Sequence, residues 1–527
     1  MATDPGFFSL VEKNATKNPA KTLIAVEGES LSYGEFTTAT DRVCRGLSAL
    51  GVAPGMKVAL IIPNSTIWYI IYWGIVKTGA LPVPLDPLAG EWEIARLLGL
   101  AECETCFAAA HYKHNPIFEN LRNARARLPR LRQVIAATPE AVDDPDKDIL
   151  SFAALGAMGE ETGAAPHPHQ PRPGDALMLA CTSGSTGNPK IIVVPYIGFF
   201  TSQKDMADYL GFRDNDRMLL GMPLYHQGGF GMGLQMVFNG GSVRYQTTFD
   251  PADLLASIER ERITVVQLTS TLAKLLLSCP EFDTFDISSV RLCYFAGEML
   301  PMEIAREFFD RRGIRVVDVI GASETGTMVV WDSDFDRDVD SNEFRALRFT
   351  RFLVLDDQKN EVGEGRTGTL CVNTDAQLLR YFGNDVETGR RLFTKAGRTW
   401  FDTGDLGLRT AGGRVRFAGR SKRIIKRGSN LVCPEENEAF LLTHPAVAAV
   451  AVIGEPHELF GEMIVAYIQP APGCALKRAD IVSFCKGKLS AYKIPDKMIF
   501  TDSIPHDIGK IQFKYIHNIS GSEPDGP

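Results

Sequence analysis

The stretch LACTSGSTGNPK, residues 179 to 190, combines glycines, hydroxyl side chains and a lysine in a pattern suited to holding an anion. Glycines let the backbone approach a bound group closely, hydroxyl and backbone N–H groups donate hydrogen bonds, and a lysine adds positive charge. Together these residues predict a loop that binds a polyphosphate. They are Thr182, Ser183, Gly184, Ser185, Thr186, Gly187 and Lys190.

The spacing within this stretch excludes two better-known loops. The phosphate-loop pattern G-x-x-x-x-G-K-[ST] fails because Pro189 stands where the second glycine is required. The serine nucleophile elbow G-x-S-x-G fails because neither Ser183 nor Ser185 has a glycine two residues before it. A surface turn rich in serine and glycine, without a ligand, remains the alternative.

Five further stretches follow this loop along the chain. They are LYHQGG (224–229), IGASETG (320–326), FDTGDLG (401–407), GRSKRIIKRGSN (419–430) and HDIGKI (506–511). In order and spacing they resemble the signatures of the adenylate-forming (ANL) enzymes, which include acyl-CoA synthetases, aryl-CoA ligases, peptide-synthetase adenylation domains and luciferases. The resemblance covers nearly the whole chain. It implies that a carboxylic acid is joined to the α-phosphate of ATP, pyrophosphate leaves, and a thiol then displaces AMP.

The resemblance implies catalytic roles for three residues. Lys510 would bridge the carboxylate and the α-phosphate and so neutralise charge where two anions meet. Glu324 would hold Mg²⁺, whose preference for hard oxygen ligands suits a carboxylate. His226 would border the acid pocket and move between the two half-reactions.

The resemblance also implies a set of nucleotide and coenzyme contacts. Ser323 stands where the family has a threonine near the α-phosphate, and Asp405 would accept hydrogen bonds from the ribose hydroxyls. Gly297 and Glu298 would lie beside adenine, and Arg420 would reach the ribose or phosphate. Lys422 would lie at the hinge, and Gly428 would line the pantetheine passage. ATP, Mg²⁺ and coenzyme A are therefore the expected cofactors.

Alternatives remain for these assignments. Glu324 and Asp405 are also residues of ordinary solvated turns, Lys510 is also an ordinary surface lysine, and His226 is also an ordinary buried histidine. Because GASET, residues 321–325, misses G-x-S-x-G by one residue, an α/β serine hydrolase using Ser323 is a second hypothesis. A third is a catalytically silent nucleotide-binding protein.

The predicted acid is hydrophobic and lacks an α-amino group. Amino-acid-activating relatives place an aspartate near His226, but no acidic residue lies between Met222 and Asn239. Met and Phe residues there indicate either an apolar pocket or ordinary core packing. Two departures from the family pattern, Ile320 and the segment 331–349, fall where the pocket edge is expected and indicate an unusual substrate.

The thiol acceptor is expected to be a separate molecule. After Ile511 only 16 residues remain (527 minus 511), whereas an independent domain needs about 50 or more. Either coenzyme A or a free-standing carrier protein can meet this need. The loop around Gly428 resembles the acyl-CoA synthetase version, which favours coenzyme A.

The composition limits the class of protein and its partners. The chain has 527 residues, 45% of them hydrophobic and 23% charged, with 56 basic against 64 acidic residues. The net charge of -8 argues against nucleic-acid binding through a basic surface. The longest apolar run, 67–76, is shorter than the roughly 20 residues of a membrane span and predicts a buried helix. Scattered cysteines and no secretory leader predict a cytoplasmic protein; a homodimer is possible.

The elements that must position these residues alternate between buried strands and helices, which predicts an α/β fold with parallel sheets. Strands are expected at 58–62, 81–85, 105–109, 176–181, 191–194, 264–268, 290–295, 316–320, 447–453 and 464–468. The Gly- and Pro-rich segment between 155 and 175 predicts a connection without packed structure. We expect a large N-terminal domain (1–419) of stacked sheets flanked by helices, and a small mobile α+β C-terminal domain (420–527).

Overall fold

The computed structural model describes residues 7–138, 149–161, 169, 171–182, 190–247, 250–296, 300–338, 342–420, 425–427, 430–432, 434–457, 461–486, 493–507, 510–511 and 516. The chain divides into two compact units. The first comprises 1–341, 346–351 and 373–401, and the second comprises 342–345, 352–372 and 402–527. The predicted boundary between residues 419 and 420 stays a prediction.

Helices α1 to α13 lie in the first unit, and α14 and α15 lie in the second. The helices are α1 (Phe7–Lys17), α2 (Tyr33–Ala49), α3 (Thr66–Thr78), α4 (Glu91–Ala101), α5 (Ile117–Ala124), α6 (Phe152–Glu161), α7 (Tyr196–Leu210), α8 (Gln227–Phe238), α9 (Pro251–Glu261), α10 (Ser270–Leu277), α11 (Met302–Arg312), α12 (Ser333–Asp336), α13 (Asp385–Arg391), α14 (Pro434–Leu441) and α15 (Arg478–Cys485).

The strands confirm the predicted alternation, since every strand expected between 58 and 320 is present within a few residues of its predicted ends. In chain order they are β1 (Thr22–Val26), β2 (Glu29–Ser32), β3 (Lys57–Ile61), β4 (Leu81–Pro84), β5 (Thr105–Ala108), β6 (Gln133–Ala136), β7 (Ile149–Leu150), β8 (Ala176–Thr182), β9 (Lys190–Pro195), β10 (Arg217–Leu220), β11 (Ser242–Tyr245), β12 (Val265–Leu268), β13 (Leu292–Ala296), β14 (Arg315–Ala322), β15 (Gly326–Asp332), β16 (Glu343–Ala346), β17 (Thr350–Leu355), β18 (Gly368–Thr374), β19 (Arg380–Tyr381), β20 (Leu392–Lys395), β21 (Arg398–Arg409), β22 (Val415–Arg420), β23 (Ile425–Arg427), β24 (Asn430–Val432), β25 (Val447–His457), β26 (Gly461–Pro470), β27 (Lys497–Phe500), β28 (His506–Asp507) and β29 (Lys510–Ile511).

Two sheets with parallel cores organise the first unit. In one, β1, β11, β10, β12, β13 and β14 run parallel in that order, with antiparallel β2 and β15 outside them. In the other, β4, β3, β5, β6 and β7 are all parallel. The Asn64 Oδ1 atom after β3 accepts a 2.7 Å hydrogen bond from the Leu224 backbone N–H after β10. This bond ties the carboxyl ends of the two sheets, where ligands of α/β proteins usually bind.

The apolar run at 67–76 forms the buried helix that the sequence predicts. The Ser65 side chain caps α3 by accepting from the Trp68 N–H, and Gly79 ends it in the left-handed conformation at φ 78°. The residue types at positions 65 and 79 thus explain where α3 begins and ends. Trp68, Trp73 and Tyr72 are each at most 1% exposed, so the helix is buried among aromatic rings.

The predicted unpacked connection at 155–175 is wrong at its start, because residues up to Glu161 belong to α6. The glycines that suggested a linker allow close packing instead. A Cβ atom added to Gly159 would lie 2.7 Å from the Gly46 backbone nitrogen of α2, and one added to Gly46 would lie 2.5 Å from the Leu155 carbonyl oxygen. Helices α2 and α6 therefore touch backbone to backbone.

The second unit contains the α+β core that the sequence predicts near its end. Strands β25 and β26 pair antiparallel, and β27 joins β26 in parallel. Alternate residues of β25 and β26, including Val450, Val452, Ile464 and Ala466, form a core with Ile481 of α15. The strands predicted at 447–453 and 464–468 are confirmed.

The contact between α2 and α6 generates a stability prediction. We expect Gly159→Ala to lower the free energy of unfolding by about 1–3 kcal/mol, because the added methyl group overlaps the α2 backbone. Urea unfolding followed by tryptophan fluorescence measures this. The control is Gly99→Ala in α4, where the nearest atom to an added Cβ lies at 4.0 Å; it should raise stability by about 0.5–1 kcal/mol. Equal effects of the two substitutions would contradict the packing account.

Candidate active site

The two ends of the predicted polyphosphate loop are held together by strand pairing. Thr182 ends β8 and Lys190 begins β9, and the two residues are antiparallel partners. The Thr182 hydroxyl also lies 3.4 Å from the Lys190 carbonyl oxygen, to which it donates. This confirms the predicted strand, loop, strand order. Ser183, Gly184, Ser185, Thr186 and Gly187 lie outside the described residues.

Glu324 lies in the tight turn between β14 and β15. The Thr325 N–H donates to the Ala322 carbonyl at 3.0 Å, so Ser323 and Glu324 are the two central residues of this turn. A Cβ atom at Gly321 would lie 2.4 Å from the Gly326 carbonyl oxygen, which explains the first glycine of GASETG. Glu324 is half-buried, and its carbonyl accepts a 2.7 Å hydrogen bond from the Leu378 N–H.

Strand β19 brings Tyr381 to the same place. Tyr381 pairs with Ile192 of β9, and its hydroxyl donates to the Glu324 Oε1 atom at 3.3 Å. Burial raises the pKa of the Tyr381 phenol, and the neighbouring Glu324 carboxylate raises it further. Tyr381 therefore stays protonated and holds the Glu324 carboxylate as a hydrogen-bond donor.

Lys190 is fixed by an ion pair with Glu387, the buried acid of α13. The two side chains are only 15% and 11% exposed, and the Lys190 Nζ atom lies 5.3 Å from the centre of the Tyr381 ring. Burial alone would raise the pKa of Glu387, but hydrogen bonds from Lys190 and Arg391 outweigh it and hold this pKa below its ordinary value. Lys190, Glu324, Tyr381 and Glu387 are called the charge cluster below.

Sequence reasoning missed Tyr381 and Glu387. The signal that was available is RYFGNDVET, residues 380–388, in which Asn384 caps α13 by accepting from the Glu387 N–H at 3.0 Å. This capping pattern predicts a helix start. It does not indicate that the helix carries the partner of a lysine 197 residues earlier.

His226 lies at the N-terminal cap of α8. Its Nδ1 atom accepts from the Gly228 N–H at 3.1 Å, which leaves the proton of a neutral imidazole on Nε2. The side chain is exposed, so the alternative of an ordinary buried histidine is wrong. Its neighbour Tyr225 lines a cavity of about 180 Å³ at the carboxyl ends of the two sheets, together with Asn64 and Lys113.

In the second unit, Asp405 lies within β21, at a point where side chains fix the backbone. The Asp402 Oδ1 atom accepts from the Gly404 N–H at 2.8 Å, and the Thr403 hydroxyl accepts from the Asp405 N–H at 3.0 Å. Gly404 has φ 74°, which explains the glycine of TGD. Arg420 is the direct cross-strand partner of Asp405, so two predicted nucleotide contacts occupy facing positions.

Lys510 lies in a short hairpin in which β29 pairs with β28, and its partner is Asp507. The structure describes its backbone but not its side chain. Gly297, Glu298, Lys422 and Gly428 lie outside the described residues. The roles predicted for all these residues stay predictions.

The geometry around Ser323 contradicts the serine-hydrolase alternative. A nucleophile elbow joins a strand to a helix, whereas Ser323 lies in a turn between two antiparallel strands. The expectation that 331–349 edges the pocket is also wrong for its first residues. Asp332 pairs with Val317, near the start of β14, and Arg315 holds its buried carboxylate in two hydrogen bonds. These residues lie at the opposite end of the hairpin from Glu324.

Comparison with known families places these observations in context. The model of the AMP-binding enzyme family matches residues 11–382, and that of the AMP-binding enzyme C-terminal domain matches residues 436–508. The chain belongs to the AMP-binding enzyme family. The resemblance to adenylate-forming enzymes that the motifs carry is thereby confirmed.

Relatives of this AMP-binding enzyme extend over almost its whole length. It is 27% identical to a putative acyl-CoA synthetase, YngI, of Bacillus subtilis (strain 168), with 95% of each chain covered. It is 28% identical to an indoleacetate–CoA ligase of Aromatoleum aromaticum, with 95% and 96% covered. It is also 27% identical to a fatty acid–[acyl-carrier-protein] ligase, ScoC, of Streptomyces coeruleorubidus, with 94% and 93% covered.

Solved structures share the fold. The anthranilate CoA ligase AuaEII in complex with anthranoyl-AMP has a TM-score of 0.84 at 24% identity, with 97% of this chain and 96% of that chain covered. ATP-bound MatB from Rhodopseudomonas palustris has a TM-score of 0.83 at 24% identity, with 97% and 98% covered. Among the described residues of the AMP-binding enzyme, no helix is both long and apolar enough to cross a membrane.

The charge cluster generates a pH prediction. Because the pKa of folded Glu387 lies below its ordinary value of 4.5, the ion pair stabilises the protein above pH 4.5 and is lost as the pH falls through the lowered pKa. We expect Glu387→Gln to lower the free energy of unfolding by about 1–3 kcal/mol at neutral pH. This difference from the wild type should shrink on acidification below pH 4.5, as measured by urea unfolding.

The matched control is Glu119→Gln on the exposed face of α5. It should leave the neutral-pH stability nearly unchanged, because substitutions at exposed surface sites are usually within about 0.5 kcal/mol of neutral. If the two variants lose the same stability at every pH, Glu387 does not stabilise the fold through a charged pair.

Proposed function

We propose that this AMP-binding enzyme activates a carboxylic acid with ATP and transfers the acyl group to a thiol. In the first half-reaction the acid carboxylate attacks the α-phosphate of ATP, forming an acyl-adenylate and releasing pyrophosphate. In the second, the thiol of coenzyme A attacks the acyl carbon and AMP leaves. The charge cluster carries this conclusion, because it places a lysine and a carboxylate beside the strand pair that closes the polyphosphate loop.

The residues of the charge cluster fit a magnesium–nucleotide complex. Mg²⁺ is commonly bound by one or two carboxylates together with waters and substrate phosphates. Glu324 offers a hard oxygen donor on a rigid turn, and the described residues contain no cluster of three or more potential metal ligands that would form a complete protein site. When bound, Mg²⁺ would neutralise charge on the phosphates. Tyr381 orients the Glu324 carboxylate, and Lys190 adds positive charge at the start of β9.

The nucleotide and lysine assignments belong to this proposal. Asp405 accepts hydrogen bonds from the ribose, Arg420 contacts the ribose or phosphate, and Ser323 contacts the α-phosphate. Lys510 neutralises the approach of the carboxylate to the α-phosphate. We further propose that the domain starting at residue 420 moves between the half-reactions about Lys422, and that Gly428 lines the pantetheine passage.

Coenzyme A is the proposed acceptor. Two of the relatives named above are a putative acyl-CoA synthetase and a CoA ligase, while ScoC is a ligase for an acyl carrier protein. A free-standing carrier protein is therefore the second candidate. The acid is proposed to lack an α-amino group, because no acidic residue that would pair with an ammonium group lies between Met222 and Asn239. The proposed location is the cytoplasm, and a homodimer stays a prediction.

Lys510→Ala tests the adenylation half-reaction. We expect pyrophosphate release from ATP and acid to fall by about 100-fold or more, since one group that stabilises transition-state charge is worth 10²–10³ in rate. The assay uses the full chain, Mg²⁺ and a panel of fatty and aryl acids. Lys486→Ala, at the exposed end of α15, is the control and should behave as the wild type. Loss of activity in both variants would argue against a specific role of Lys510.

Glu324→Gln tests the metal role. We expect adenylation to fall by about 100-fold, with partial recovery at higher Mg²⁺ concentration because the weakened site still offers a carbonyl oxygen. Glu303→Gln, exposed in the first turn of α11, is the matched control. A Mg²⁺ dependence equal to that of the wild type would remove Glu324 from the metal site.

Mass spectrometry with and without coenzyme A identifies the acceptor. If a thioester appears only when coenzyme A is present, coenzyme A is the acceptor. An adenylate that accumulates in its presence points to a carrier protein instead.

A further inference from the structure

Four buried side chains on α8, β12 and β13 carry polar atoms that lack hydrogen-bond partners. Gln227, Gln235, Gln267 and Tyr294 are 7%, 1%, 1% and 0% exposed, respectively. Within the described part of the chain, both side-chain polar atoms of Gln227 and of Gln267 are unpartnered, as are the Gln235 Oε1 atom and the Tyr294 hydroxyl. These four residues are called the amide cluster below.

The strand register and helix contacts place three members of the cluster together. Gln267 of β12 and Tyr294 of β13 are direct partners in a parallel pair, so their side chains point to the same face of the sheet. The Tyr294 hydroxyl lies near the Gln235 amide of α8 without reaching hydrogen-bond geometry. The Gln235 Nε2 atom donates to the Gln203 Oε1 atom of α7 at 2.7 Å. Gln235, Gln267 and Tyr294 therefore lie between two helices and two strands.

Glycines fix α8 in this position. A Cβ atom at Gly231 would lie 3.0 Å from the Gln203 Oε1 atom, and one at Gly233 would lie 2.2 Å from the Tyr245 hydroxyl of β11. Helix α8 thus approaches α7 and β11 as closely as glycine permits. The helix is held in place by packing, while both polar atoms of Gln227 and the Gln235 Oε1 atom remain unpaired.

The amide cluster adjoins the proposed acid site at two points of the chain. Gln227 directly follows His226 and begins α8. Tyr294 is the third residue of β13, and its strand ends at Ala296, one residue before Gly297. The cluster thus reaches the segments in which the acid and adenine contacts are expected.

An unpaired buried amide is uncommon, because burying it without a partner forfeits its hydrogen bonds to water. Gln227 and Gln267, whose side-chain polar atoms are all unpaired, call for a bound group. Each amide offers two donors and one acceptor, and the tyrosine hydroxyl can do either. The members of the cluster are all neutral, which suits a neutral partner, such as a hydroxyl, carbonyl or amide.

We propose that the amide cluster recognises the acyl part of the substrate, and that the acid carries a neutral hydrogen-bonding group remote from its carboxylate. This inference rests on the proposed function, since it names the substrate class of the same site. A plain fatty acid would leave the glutamines unpaired against methylene groups. The hydrophobic acid that the sequence predicts would therefore also carry one neutral polar group.

Matched acids test this proposal. The pairs are 3-phenylpropanoic acid with 3-(4-hydroxyphenyl)propanoic acid, and decanoic acid with 10-hydroxydecanoic acid. The kcat/KM for pyrophosphate release is measured for each acid. We expect the wild type to prefer the hydroxylated member of at least one pair by about 100-fold or more, because sites built to hydrogen-bond a hydroxyl strongly reject the analogue that lacks it.

Gln267→Leu removes both unpaired polar atoms with little change of volume. It should reduce that preference by about 100-fold and raise kcat/KM for the apolar member. It should also raise the unfolding temperature of the ligand-free protein, because it removes an unsatisfied buried group. The control is Gln133→Leu on β6, whose Nε2 atom donates to a backbone carbonyl at 3.0 Å; it should leave the preference unchanged.

The outcomes distinguish failure of the recognition proposal from failure of the proposed function. If the wild type releases pyrophosphate with both members of each pair equally, or with the apolar members alone, the amide cluster does not select the acid. The same conclusion follows if Gln267→Leu keeps the wild-type preference. If no acid supports pyrophosphate release but the hydroxylated acids alone raise the unfolding temperature, the proposed function fails and the recognition proposal stands. If they neither react nor raise that temperature, both fail.

Discussion

The position of β9 between β8 and β19 is the constraint on which the first unit's candidate site depends. Pairing with β8 closes the predicted polyphosphate loop, and pairing with β19 places Tyr381 beside the strand that begins at Lys190. Tyr381 in turn holds Glu324. Backbone hydrogen bonds thus bring β19 to β9, and the side chain of Tyr381 adds the turn between β14 and β15. The side chains then supply the charge.

The parallel sheets explain why the remaining contacts gather at one edge. Strands β3 and β10 belong to different sheets, yet the Asn64 side chain joins the segments that follow them. His226 and Gln227 follow β10, and the segment containing Gly297 follows β13. Because parallel strands present their carboxyl ends at the same edge, the loops that carry these residues emerge together. The sheets determine where the candidate site lies, and the side chains on the loops determine which groups it can bind.

Much of this arrangement could be predicted from the sequence. The strands of the first unit are buried runs bounded by turn residues. GASETG and FDTGD carry glycines that the local backbone requires, for a close contact at Gly321 and a positive φ at Gly404. Such features are local, so the sequence reports them directly. The family resemblance added roles that no local pattern reveals.

Features that depend on long-range contacts could not be predicted. Gly159 was expected in a linker because glycine usually ends regular structure, but here it allows α6 to meet α2. Asp332 was expected near the substrate, but Arg315 holds it at the far end of the hairpin. The unpaired atoms of Gln267 are visible only when all its neighbours are known. In each case, the deciding partner is distant in sequence or belongs to another element.

The ion pair between Lys190 and Glu387 has a consequence for the order of folding, because its members are separated by 197 residues. During synthesis, Lys190 leaves the ribosome long before α13 exists. The intervening sheet must form before the two charges can meet, and contacts of such long sequence separation form late because loop closure opposes them. Lys190 is therefore fixed in place only when most of the first unit has folded. Nascent chains that end before α13 therefore lack a fixed Lys190 side chain, and the phosphate contact proposed for it is completed late in the biogenesis of the protein.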